Sequence, residues 1–214
     1  MKYTGERMVP ELVNPRNGLL KEHIARYEFA AKTARGRILD LGCGVGYGTE
    51  ILLDSQEADE ISQVVGVDID AESIEYARDM YGYRRADFRV ADIRDATLPA
   101  QLGQFDTIIC FEVIEHMKEE AAVISNIIRM LKPKGKLIIS TPFGKGKGKP
   151  CSCPYHVHQY TENEFLEMLQ TYFDVDLYVQ RDTLIEKRRI GMKYYLMVAC
   201  CHLRVQANEM ERRG

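Results

Sequence analysis

Arg37-Ile-Leu-Asp-Leu-Gly-Cys-Gly-Val-Gly-Tyr-Gly48 is the stretch that decides how this 214-residue chain folds. Its first five residues form an apolar run of the length of one buried strand. Glycines at 42, 44, 46 and 48 follow at once, where the chain must turn sharply and a ligand can touch bare backbone. A helix opening after such a loop presents free N–H groups and the positive end of its dipole, a receptor for carboxylate or phosphate. The G-x-G-x-x-G fingerprint does not fit, because its third glycine would fall on Tyr47 or on Thr49. The pattern is D-x-G-x-G-x-G, starting at Asp40.

Further along the chain, short β-rich runs alternate with amphipathic stretches. The strand candidates are 64–68, 88–90, 107–111 and 136–140, then 175–179 and 194–202. Helices are expected around 22–31 and 71–80. A third is expected where Ile124, Ile127, Ile128 and Leu131 recur, ending at Pro133 and Gly135. Thr161 with Glu164 reads as a capping box opening a fourth. Strands alternating with helices imply an α/β fold, a mostly parallel sheet covered on both faces. The last two strand candidates are separated only by 183–193, enough for a loop but not a helical crossover, so that pair is expected to be antiparallel. Residues 1–35 precede the first strand, 36–205 hold the α/β domain, and the charged tail after Val205 is expected to fray. Residues 143–160 form an irregular Gly/Lys/Pro/Cys/His-rich connection, the kind of long loop that usually carries function.

Two acids stand where strands end. Asp68 closes VVGVD about twenty residues after the glycine loop, where a carboxylate can accept both hydroxyls of a ribose. Asp70 is expected to cap the following helix. Asp92 closes FRVAD, where it can accept from an adenine amino group, with Ile93 supplying its backbone amide.

DLGCGVG, VGVDID, VADI, FDTIICFEVIEHM and LKPKGKLIIST, in that order, resemble class I S-adenosylmethionine-dependent methyltransferases over about residues 36–142. Within that class the EVIEH stretch is similar to ubiquinone-pathway O-methyltransferases and to small O-methyltransferases of sugars and secondary metabolites. The resemblance implies a Rossmann-like, seven-stranded, mostly parallel sheet of order 3-2-1-4-5-7-6, strand 7 antiparallel, with helices on both faces. It implies that S-adenosyl-L-methionine binds with its methionine end among Asp40, Gly42, Gly44 and Gly46. Its ribose and adenine would then meet Asp68 and Ile69, its adenine Asp92 and Ile93, and its edge Phe111. Lys134 departs from the family, which commonly has a second glycine after Pro133. By the same likeness the N-terminal segment, with Glu6, Arg7, His23, Arg26 and Tyr27, covers the cofactor; Arg26 and Tyr27 are candidate contacts to the methionine carboxylate or the acceptor.

The acceptor chemistry is expected at the carboxyl ends of strands 4 and 5. If the chain turns helical after Phe111, Glu112, Glu115 and His116 share one face. With His156 they form a mixed O/N set suited to Mn²⁺, Fe²⁺, Zn²⁺ or, less naturally, Mg²⁺. This set resembles the metal motif of small-RNA 3′-terminal 2′-O-methyltransferases. Without a metal, His116 or His156 leads as general base, with Glu112 beside them. Another zinc set is Cys151, Cys153, His156 and His158, though its spacings are tight for a structural site. Lys145, Lys147 and Lys149 read either as a solvated loop or as a clamp for an anionic acceptor.

A formal net charge of −3 exerts no global pull toward nucleic acid or acidic membranes, so any polyanion site must be a local patch. No signal peptide or membrane-length apolar run is present, and the six cysteines suggest a reducing compartment, so a cytoplasmic location with no membrane partner is expected. The oligomeric state is open. Three functions remain in play: O-methylation of a small hydroxylated acceptor such as a sugar or phenol, methylation of nucleic acid at an RNA 3′ end, and a non-catalytic cofactor-binding subunit.

Overall fold

The computed structural model describes residues 8–83, 85–151 and 153–204. Among them lies one eight-stranded sheet with helices on both faces. The helices are α1 (Gly18–Ala31), α2 (Tyr47–Leu53), α3 (Ala71–Tyr81), α4 (Leu98–Leu102), α5 (Glu120–Met130) and α6 (Glu162–Gln170). The strands are β1 (Gly36–Leu41), β2 (Ile61–Asp68), β3 (Ala86–Val90), β4 (Phe105–Phe111), β5 (Leu131–Pro142), β6 (Phe173–Arg181), β7 (Leu184–Glu186) and β8 (Leu196–Leu203). The spatial order is β3-β2-β1-β4-β5-β8-β6-β7. Strands β1 to β5 run parallel, and β8 inserts antiparallel between β5 and β6.

The expected α/β class and the antiparallel final strand therefore hold; the strand count does not. The supposed loop 183–193 contains β7, which pairs antiparallel with β6 from Val179 to Arg181. A three-residue strand at a sheet edge is too short for alternation to show in sequence. At the other end of the count, α5 runs straight into β5, because Leu131 pairs with Phe105 before the ladder shifts register and resumes at Lys136 with Thr107. Pro133 falls inside that irregularity, where its missing N–H breaks no ladder bond.

Strand side chains divide by parity between the two faces. Leu39, Val65, Val67, Ile108, Cys110, Leu137 and Ile139 face α4–α6, while Ile38, Val64, Ile109, Phe111 and Ile138 face α1–α3. Both faces being covered explains the unbroken apolar runs that marked these strands in the sequence. Helix starts follow their caps: Asp70 accepts from the Ser73 amide, Asn17 from Leu20, and Thr161 and Glu164 form the reciprocal capping box. All six cysteines are free. No helix among the described residues is long and apolar enough to cross a membrane. Glu6, Arg7 and the tail after Val205 lie outside the described residues.

Candidate functional site

A cavity of about 730 Å³ opens at the carboxyl ends of β1, β2, β4 and β5, beneath α1. That volume suits a nucleoside-sized cofactor together with a small acceptor. Its floor is the glycine loop. Gly42, Gly44 and Gly46 all have positive φ, and Gly46 caps α2 in the left-handed conformation. At Gly42 a Cβ would stand 2.5 Å from Val113, so the loop could not pass so close to the segment that follows β4 with any side chain there.

Asp68 ties the floor to β2. One of its oxygens accepts the Gly44 amide at 2.9 Å and the other the Asp70 amide at 2.9 Å. Half-exposed in the cavity wall, the carboxylate keeps lone pairs for further donors. Beneath it Asp40 is fully buried, and Tyr27 of α1 donates its hydroxyl to that carboxylate at 3.0 and 3.2 Å. Burial raises the Asp40 pKa to about 7, opposed by the Tyr27 hydrogen bond. The Tyr27 ring meets Tyr47 and Phe111 edge-on, which binds α1 down as a roof.

Arg26, next along α1, is 1% exposed yet lines the cavity. It donates to Gln180 of β6 at 2.9 Å, its Nε has no partner, and no carboxylate pairs with it among the described residues. A buried guanidinium so poorly matched calls for an anion in the cavity beside it. His23 is held near a pKa of about 3 by burial first and Arg26 second, so it stays neutral and is a poor base.

The end of the cavity beyond β4 is built otherwise than helix periodicity suggested. Glu112 has φ 56°, which breaks the chain direction at the end of β4, and only one 3₁₀ turn, Ile114–His116, follows. Glu112, Glu115 and His116 therefore do not share a helix face. Glu112 instead accepts from Ser140 at 2.6 Å and stands outside the group that Glu115, His116 and His156 form. That trio offers ligand atoms all within 4.8 Å of one another, the one such group among the described residues.

Three backbone-directed bonds stitch the 143–160 connection to this turn. The amides of Val157 and His158 donate to the Glu115 carbonyl at 2.8 and 3.0 Å, and His116 Nδ1 lies 3.0 Å from the Tyr155 carbonyl. A carbonyl only accepts, so Nδ1 carries the proton and Nε2 keeps its lone pair. Glu115 is fully buried; one oxygen accepts from Thr141 at 3.1 Å and the other, Oε1, has no partner. Burial, with Glu112 nearby, pushes its pKa well above the usual carboxylate range. An orphaned buried carboxylate oxygen beside two imidazoles is a donor set that fits a divalent cation.

A protein-family model described as a methyltransferase domain matches residues 32–183, most of the chain. The chain belongs to this family. A probable S-adenosylmethionine-dependent methyltransferase of Mycolicibacterium smegmatis is 32% identical over 173 residues, covering 78% of this chain and 63% of that protein. A ubiquinone biosynthesis O-methyltransferase of Xanthomonas oryzae pv. oryzae is 37% identical over 111 residues, 50% of this chain and 44% of that one. The chain thus spans about half to three-fifths of the length of these relatives. Among solved structures, the small RNA methyltransferase HEN1 superposes with a TM-score of 0.68 at 20% identity, over 92% of this chain and 26% of that one. It shows the shared fold.

In this methyltransferase domain the cavity gathers Arg26, Tyr27, Gly42, Gly44, Asp68, Ile69, Phe111, Glu112, Glu115, His116 and His156. Asp40 and Gly46 support it from behind, the first through Tyr27, the second as the cap of α2. Asp92 and Ile93 are not in its wall. Arg94 clasps the Asp92 carboxylate through Nε and Nη2 at 2.9 and 2.7 Å, and Ile93 is buried in the core under α4 and α5. That ion pair, between residues two apart, competes with any adenine contact and could have been suspected from the sequence. Cys151 Sγ accepts from the Cys153 amide, and His158 turns toward Tyr160. The two cysteines and His158 thus do not join the trio. All three lysines of the loop are exposed; Lys147 is drawn off to Glu120, and its amide to Glu164. Sequence reasoning missed Pro142, Tyr195 and Leu196, which also line the cavity. They arrive from the last residue of β5, the loop before β8 and the first residue of β8, with no motif to mark them.

Proposed function

We propose that this chain transfers the methyl group of S-adenosyl-L-methionine to a hydroxyl of a small acceptor, such as a sugar or phenol, with help from a divalent ion. The observation that carries the reading is one cavity holding both the Gly42–Gly44 floor with Asp68 and the Glu115, His116, His156 trio. The ubiquinone biosynthesis relatives, named O-methyltransferases, support hydroxyl as the acceptor atom.

S-adenosylmethionine, when bound, supplies a methyl group already activated by a positive sulfur. The chain's part is to bind, align and deprotonate. Asp68 accepts the ribose hydroxyls and the Gly42–Gly44 backbone lies against the methionine end. Arg26 pairs with the methionine carboxylate, while Tyr27 and Phe111 wall off water above. Glu115, His116 and His156 would hold a divalent ion, which would lower the pKa of the acceptor hydroxyl. Where no metal binds, His116 Nε2 takes the hydroxyl proton, its tautomer set by the Tyr155 carbonyl. The second reading, methylation of an RNA 3′ end, draws on the likeness of the trio to small-RNA enzymes; the net charge of −3 weighs against it.

Labelled S-adenosylmethionine offered with sugars, catechols and 3′-terminal RNA, with Mn²⁺ or with chelator, tests both. The expected result is Mn²⁺-stimulated transfer to a small hydroxylated acceptor. His116→Ala and His156→Ala each weaken Mn²⁺ binding at least about tenfold in calorimetry, with S-adenosylhomocysteine binding retained. Transfer to RNA alone selects the second reading. Full turnover by both histidine variants in chelator removes the metal and the base together.

A further inference from the structure

Gln180, the penultimate residue of β6, belongs to no motif in the sequence and does not line the cavity. It is nonetheless wholly buried, and among the described residues it is the one side chain that hydrogen-bonds Arg26. Its polar contacts fix one another. Nε2 donates to the Glu22 carbonyl of α1 at 2.9 Å and to the Asp182 carbonyl at 2.8 Å. Carbonyls only accept, so the amide nitrogen must face them. Oε1 is thereby turned the other way, where it accepts from Arg26 Nη1 at 2.9 Å. A flipped amide would set an oxygen against two carbonyl oxygens and an N–H against a guanidinium.

The backbone around Gln180 is shaped for this role. Asp182 has φ 53°, a left-handed conformation that among the described non-glycine residues only Glu112 shares. It lies in the turn from β6 to β7, and its carbonyl meets the Gln180 amide there. Backbone held in so sparsely populated a region persists where surrounding contacts over-determine it, and such residues cluster at functional sites. Gln180 itself is paired on both sides, with Ile185 of β7 and Leu196 of β8. A glutamate here would neutralise the guanidinium and repel both carbonyls. The neutral amide instead orients Arg26 and leaves its charge whole for an anion in the cavity that Arg26 lines.

We propose that Gln180 is a positioning residue for the cofactor, holding the Arg26 guanidinium where it meets the methionine carboxylate of S-adenosylmethionine. The proposal rests on the methyl-transfer reading, which gives Arg26 that carboxylate. It also gives the β6–β7 hairpin a function: the strand too short to read from the sequence frames the position from which Arg26 is held.

Calorimetry with two ligands tests it. S-adenosylhomocysteine carries the carboxylate; 5′-methylthioadenosine has the same nucleoside and sulfur without it. Gln180→Met keeps the side chain's length and loses the amide. It is expected to weaken S-adenosylhomocysteine about tenfold and to leave methylthioadenosine within about twofold of wild type. Gln180→Glu is expected to do the same, because its carboxylate takes up the Arg26 charge. In an Arg26→Met background either change should add less than about twofold. Wild-type affinity for S-adenosylhomocysteine in both Gln180 variants overturns the proposal. So does an equal loss of both ligands, the mark of a role in packing α1, or a full loss that persists without the guanidinium. A crystal structure of the wild type with S-adenosylhomocysteine decides without any variant: Arg26 should meet the carboxylate while still bonded to Gln180 Oε1, and an Arg26 that leaves Gln180 to reach it overturns the proposal. If Arg26→Met binds S-adenosylhomocysteine like wild type, the reading of Arg26 falls and the proposal with it. Loss in Arg26→Met with none in the Gln180 variants fails the proposal alone.

Discussion

Replacing Gly48 by alanine tests how the roof of the cavity is held. Gly48 sits in the first turn of α2, and a Cβ there would lie 2.7 Å from Tyr27 Cδ1 and closer still to two other ring carbons. The ring cannot step aside freely, because it is 5% exposed, packed edge-on against Tyr47 and Phe111, and bonded to buried Asp40. Overpacking costs about 1–3 kcal/mol, and a lost hydrogen bond to a charged group about 1.5–3 kcal/mol. Alanine's helix advantage of up to about 1 kcal/mol offsets part of this. Gly48→Ala is therefore expected to destabilise by about 2–4 kcal/mol in urea unfolding. Tyr27→Ala empties the space the new methyl needs. In that background Gly48→Ala should be neutral or stabilising, a coupling of at least about 2 kcal/mol. A Gly48→Ala cost that is the same with and without the Tyr27 ring would refute the claim that this contact seats α1.

Asp40 gives a pH signature. Its folded pKa is raised from 3.8 to about 7, so the native protein holds this proton more tightly than the unfolded chain. Stability should fall as pH rises across that window, by up to roughly 4 kcal/mol, and level off above it. Comparing urea midpoints of wild type and Asp40→Asn at pH 4 and pH 8 isolates the effect, and parallel profiles would reject it. Arg26→Met should weaken S-adenosylhomocysteine binding at least about tenfold, while stability changes by less than about 2 kcal/mol, since an underpartnered buried charge is removed. Calorimetry beside denaturation reads both, and unchanged affinity would detach Arg26 from the cofactor.

Much of the frame was legible because it rests on short-range rules. Unbroken apolar runs marked β1, β2, β4 and β5, since a sheet covered on both faces needs apolar residues of either parity. Asp70 and Thr161 announced helix starts because a cap is satisfied within three residues. The D-x-G-x-G-x-G loop marked the turn that floors the cavity, as positive φ at 42, 44 and 46 is a local demand that glycine meets. Less legible were β7, too short for a period, and Asp92, whose neighbour Arg94 already occupies it.

The sequence by itself determined the alternation of strand and helix, the antiparallel last strand and the glycine floor, all consequences of interactions among near neighbours. Tertiary structure alone decided the end of the cavity where Glu115, His116 and His156 meet. Glu112 turns left-handed and leaves the set that helix spacing would have given it. His156, forty residues from His116, joins through bonds to the Glu115 carbonyl. It also decided which charges pair, because Lys147 meets Glu120 and Arg188 meets Glu162 through contacts that chain order does not encode.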